Sequence, residues 1–93
     1  MDLSSPEHDS CFDVTLGESV NRRFGERIRA LRLAKGWSQE DLAERAGMDR
    51  TYVGGIERGR RNPTLKNVAA LARALECHLN ELFEFPGEEH GSP

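Results

Sequence analysis

Residues 39–58, QEDLAERAGMDRTYVGGIER, decide how this chain folds. Ser38, just before them, is a helix cap followed by Asp41 in an acidic first turn, and Leu42, Ala43 and Ala46 give that helix its apolar side. Gly47 supplies the left-handed backbone that stops it. Asp49 then caps a second helix, whose Val53 and Ile56 fall on one side while Met48 enters from the turn. Ala43 is small at the point where two such helices must cross closely. Helix, short turn and helix therefore satisfy one geometry together, with Leu42, Ala46, Met48, Val53 and Ile56 facing inward. The second helix carries two adjacent interior glycines, Gly54 and Gly55, each costing about 1 kcal/mol relative to alanine. A phosphate-cradling loop would need a preceding strand and a Lys-Ser/Thr ending, and this stretch has neither.

Working outward, the helical period continues on both sides. Val20, Phe24, Ile28 and Leu31 recur at four and three residues after a cap at Ser19, and Gly36 ends that helix after Lys35. Beyond the loop GRRNP, Thr64 caps a fourth helix with a stripe of Leu65, Val68, Leu71, Ala72 and Leu75. A fifth runs from about Leu79 to Phe83, before Pro86 closes the domain. The expected fold is all-α, a compact five-helix domain over residues 19–85. Polar, acidic tails flank it at 1–18 and 86–93. In the first tail Phe12, Val14 and Leu16 alternate with polar residues, a weak strand signal. Pairing with a second copy, packing across the domain and disorder all fit it.

Ninety-three residues bound the protein to one small domain. At 37% hydrophobic and 31% charged, with no apolar run long enough for a membrane span, it reads as soluble. The opening MDLSSPEHDS is acidic where a signal peptide would be basic, so the cytoplasm is the expected compartment. Cys11 and Cys77 lie far apart and are expected as free thiols, and His8, His78 and His90 are scattered, so no metal site or cofactor is expected. The net charge of −3 conceals a division. Every Lys and Arg lies between Arg22 and Arg73; residues 19–85 hold thirteen basic and nine acidic residues, a net +4, while residues 1–18 carry five acids. A basic module with acidic tails suits a polyanion partner.

The run quoted above, with RIRALRLAKGWSQEDLA before it and RNPTLKNVAALARALE after it, resembles the phage-repressor or Xre/Cro-type helix-turn-helix family. The resemblance covers roughly residues 22–85, and DRTYVGGIERGRRNPT is similar to the small controller proteins of restriction–modification systems. It implies that residues 49–58 form a recognition helix in the major groove of double-stranded DNA. On that helix Thr51, Gly54, Gly55 and Arg58 share the outward face, with Arg50 at its edge. Arg50 then reads a guanine edge or clamps a phosphate, and Thr51 meets a thymine methyl or a base-edge acceptor. Gly54 and Gly55 let the backbone approach the bases, or are simply tolerated. Phosphate contacts are expected from Arg32, Gln39, Tyr52, Arg58, Arg60, Arg61 and Asn62. The resemblance also implies an ion pair between Arg32 and Glu57 that turns Arg32 towards the DNA backbone.

Two residues depart from the family pattern: Glu76 stands where glycine commonly ends the fourth helix, and His78 where Ser or Thr commonly starts the fifth. Leu79, Leu82, Phe83 and Phe85 are the expected dimer interface, unless they fill the core. The expected function is a sequence-specific transcriptional regulator acting as a homodimer on a two-fold symmetric operator, with no small-molecule ligand. An antitoxin-like or adaptor module on the same fold is the alternative. No nucleophile–base pair or metal cluster supports an enzyme.

Overall fold

A computed structural model of the protein describes residues 16–85. Four α-helices and a closing 3₁₀ helix follow in order: α1 Leu16–Ala34, α2 Gln39–Ala46, α3 Arg50–Glu57, α4 Leu65–Leu75, and the 3₁₀ helix Leu79–Phe83. The all-α architecture matches the sequence reading, with three adjustments. The first helix begins at Leu16, so Ser19 lies inside it rather than capping it. The fifth element is 3₁₀, its N-terminus at His78 without a side-chain cap. Leu82 is fully buried, so of the four residues expected at a dimer interface it belongs to the core instead. Of the strand signal, Leu16 instead begins α1, while Phe12 and Val14, with Cys11, His8, His90 and the C-terminal tail, lie outside the described residues.

The stops and starts around α2 and α3 follow from the residues read in the sequence. The Ser38 Oγ accepts from the Asp41 amide at 3.0 Å while the Asp41 carboxylate accepts from the Ser38 amide at 2.9 Å, a reciprocal capping box. Gly47 ends α2 at φ 70°. Asp49 accepts from the Thr51 amide at 3.2 Å, and Thr64 from the Asn67 amide at 3.1 Å. Phe24, Ile28, Leu42, Val53, Ile56, Leu71, Leu75 and Leu82 form one core between the helices. Within it α1 packs on α3, and α2 on both α3 and α4. Arg27 ties the 3₁₀ helix to α1, donating to the Glu81 carbonyl at 2.8 Å. Among the described residues, no helix is long and apolar enough to cross a membrane.

The close packing of α1 on α3 depends on Gly25, which the sequence reading passed over. A methyl group there would run into the Ile56 carbonyl oxygen and lie 2.6 Å from that of Glu57. No side chain fits between these two backbones.

Candidate nucleic-acid interface

Helix α3 is held from behind by a buried ionic knot. Glu57, at its last turn, accepts from Arg32 Nε at 2.7 Å and from Arg32 Nη2 at 3.0 Å, a bidentate pair. Arg32 Nη1 donates to the Trp37 carbonyl at 2.8 Å, and Gln39 Nε2 donates to Glu57 Oε1 at 3.0 Å. Both members of the pair are buried, Arg32 at 7% and Glu57 at 6% exposure. The hydrogen bonds from Arg32 to Glu57 raise the guanidinium pKa, with the carboxylate's charge adding to them and burial opposing. The knot joins α1, the α1–α2 turn, α2 and α3, and so fixes the angle at which α3 is presented.

The expected ion pair is therefore present, but it does not turn Arg32 outward. Three of the five N–H groups of Arg32 are engaged and its side chain is 9% exposed, so it frames α3 rather than reaching for phosphate. Gln39 is half-buried, with one amide hydrogen committed to Glu57 and the other available to a phosphate.

On the outer side, Arg50 and Thr51 at the start of α3 and Arg58, Arg60, Arg61 and Asn62 after it are all exposed. Among the described residues no carboxylate pairs with Arg50, Arg58, Arg60 or Arg61. They form an arc of unneutralised guanidinium groups around the tip and tail of one helix. Tyr52 is half-buried instead: its hydroxyl accepts from Asn67 Nδ2 at 3.0 Å, and the Arg61 guanidinium carbon stands 5.6 Å from its ring centroid. That contact anchors α3 to α4 and steadies Arg61.

Gly54 and Gly55 are buried, contrary to the open glycine face expected from the sequence. A Cβ on Gly54 would lie 3.2 Å from Arg58 Nη1 and 3.4 Å from Gln39 Oε1. One on Gly55 would come within 2.6 Å of the Arg61 Cγ. The two glycines are a bed on which long polar side chains lie flat. A helical wheel cannot show that neighbouring side chains cover this side.

Two contributors had not been singled out. Trp37 offers the carbonyl that holds Arg32, and its ring lies 4.3 Å from the Arg45 guanidinium carbon. Asn67, one turn into α4, orients Tyr52. A tryptophan after the Lys-Gly helix stop was a visible sign of a packed turn; nothing local marked Asn67.

Two short helices crossing at a glycine turn, with the second backed by a buried knot and fronted by free arginines, define a helix-turn-helix domain. The chain belongs to the helix-turn-helix family HTH_3, whose model matches residues 28–82. It is 46% identical over 61 residues to a hypothetical transcription factor of Neisseria meningitidis serogroup B, covering 66% of this chain but 58% of that relative. The restriction-modification controller protein C.AhdI from Aeromonas hydrophila superposes at a TM-score of 0.66 with 56% identity, covering 67% of this chain and 94% of that one. The restriction-modification controller protein C.Esp1396I, solved as a tetramer on its natural 35 base-pair operator, gives 0.65 with 40% identity, covering 70% of this chain and 86% of that one.

Proposed function

We propose that this protein is a sequence-specific transcriptional regulator that binds double-stranded DNA as a homodimer on a two-fold symmetric operator, with α3 in the major groove. The arc of unpaired arginines around a rigidly backed α3 carries this reading. Arg50 and Thr51, exposed at the N-terminal end of α3, meet base edges, while Gly54 and Gly55 make room for the Gln39, Arg58 and Arg61 side chains that cover them. Arg58, Arg60, Arg61 and Asn62 meet the phosphates flanking that groove, and Gln39 adds a contact from the start of α2. Tyr52 serves phosphate binding by placing Arg61. Residues 19–85, together with the first residues of α1 from Leu16, are the DNA-binding domain between the two tails; the protein works in the cytoplasm as a binding protein, without catalysis of its own.

One recognition helix buries too little surface for high specificity, so a second copy is required. Leu79 and Phe83, 52% and 46% exposed on the 3₁₀ helix, with the half-buried Phe85 edge-on to Phe83, form the surface offered to it. The operator tetramer of C.Esp1396I supports this assembly by similarity.

Selection from a random duplex library tests the reading. A symmetric consensus is expected, with affinity falling steeply with salt at a slope of about 0.9 per neutralised phosphate. Arg60→Gln lowers that slope by roughly one phosphate, whereas Arg50→Ala flattens the preference at one position of each half-site. A folded protein that enriches no sequence overturns the reading in favour of the antitoxin-like or adaptor module.

A further inference from the structure

An apolar groove opens at the first turns of α1, away from the α3 face but bordering its loop. Val20 and Phe24 of α1, Pro63, Leu65 and Val68 around the start of α4, and Phe83 line a cavity of about 150 Å³. Its walls are poorly covered: Leu65 is 85% exposed, Phe83 46% and Val20 37%. Scattered exposed apolar residues need no explanation, but these gather at one place. The same end of α1 touches the arginine loop, since a Cβ on Gly59 would lie 2.9 Å from the Arg22 Cα.

The chain that leads into α1 matches this neighbourhood in both characters. In the sequence of residues 9–15, DSCFDVT, Phe12 and Val14 alternate with Asp9 and Asp13 at the period that an extended backbone would sort to opposite sides. Residues 1–15 carry four acids and no Lys or Arg. The reach is sufficient: Val20 is about 6 Å along the helix from Leu16, and seven extended residues span about 23 Å.

We propose that residues 9–15 of this chain dock in the groove through Phe12 and Val14 and hold Asp9 and Asp13 beside Arg58, Arg60 and Arg61, as an internal stand-in for DNA phosphate. The docking itself needs no DNA. Its consequence, competition with phosphate at low salt, rests on the DNA-binding reading. Carboxylates anchored within a Debye length of the arginine loop, about 10 Å at 0.1 M salt, weaken binding to every sequence alike. A random-sequence duplex, bound through phosphates alone, reads this electrostatic effect without base contacts.

The test uses the full chain in a Cys77→Ser background, with a nitroxide on Cys11 and amide broadening read without DNA. Broadening is expected at Val20, Leu65 and Phe83, and Phe12→Ser with Val14→Ser removes it. Uniform or absent broadening overturns the docking. A mixture of spin-labelled chains with separately isotope-labelled chains shows whether the contact is internal; transfer of the broadening to the other copy also overturns it. In the second arm, Asp9→Asn with Asp13→Asn is expected to tighten binding to a random-sequence duplex about fivefold at low salt and to match the parent at high salt. Equal affinity at low salt overturns the competition. A protein that shows the internal contact but binds no duplex in any form fails the DNA-binding reading, while the docking stands.

Discussion

At the scale of single residues, two positions set the geometry of α3. Gly25→Ala puts a methyl between two backbones that cannot yield as side chains do, and is expected to destabilise the protein by about 3 kcal/mol in chemical denaturation. Alanine's better helix propensity returns only about 1 kcal/mol. A variant as stable as the parent would show that α1 can slide along α3 freely. Glu57→Ala leaves the Arg32 guanidinium buried without its partner and is expected to cost about 3–5 kcal/mol. Adding Arg32→Met to it removes the stranded charge and restores most of that loss, so the double variant is more stable than Glu57→Ala alone. If the two losses simply add, the knot is not a coupled unit. Neither residue is interchangeable with its sequence neighbours, yet only one of them was visible beforehand. Glu57 was placed by its match to a family position. The need for glycine at 25 arises from the carbonyls of Ile56 and Glu57, more than thirty residues away, and nothing near Gly25 announces it.

At the scale of elements, the local rules did most of the work. Ser38, Gly47, Asp49 and Thr64 mark ends of α2, α3 and α4 because capping is a transaction between a side chain and the backbone two or three residues away. The capping box also gives α2 a pH signature. Hydrogen bonds from the Ser38 amide and hydroxyl hold the Asp41 carboxyl below its ordinary value of 3.8. A depressed folded-state pKa contributes stability above the ordinary value and loses it as pH falls through the lower folded-state value. Asp41→Asn is therefore expected to lower the melting temperature at neutral pH, with the gap from the parent closing in acid below the ordinary aspartate range. A gap unchanged from pH 7 to strong acid would show that the ionised carboxylate is not the stabilising species. Where elements depend on tertiary partners, local rules gave less. The last helix tightens to 3₁₀ and buries Leu82, and α4 ends on Glu76 in a left-handed conformation at φ 60°, with no glycine to ease it. The covered state of Gly54 and Gly55 also belongs here, because the side chains lying on them come from Gln39, Arg58 and Arg61, one in another helix and two past the end of α3.

At the scale of the whole molecule, the proposed reading of an operator in two halves asks the basic α3 face and the apolar patch near the 3₁₀ helix to be used together. The two sides of the 3₁₀ helix differ in burial: Leu82 is wholly inside, while Leu79 is half exposed. Leu79→Lys is expected to leave the fold intact and its melting temperature nearly unchanged at low protein concentration, because a surface lysine there keeps its ammonium in water. The same change brings two like charges together wherever two copies meet through this patch. Sedimentation should then show a monomer at concentrations where the parent is a dimer. Affinity for a symmetric operator should fall far more than affinity for an isolated half-site, since each half-site still receives an intact α3 and its arginine arc. Leu82→Lys is the necessary contrast: it places a charge in the core and is expected to unfold the domain outright. If Leu79→Lys remains dimeric with undiminished operator affinity, the two-fold contact lies on another face of the protein, and the exposure of Leu79 has no part in assembly.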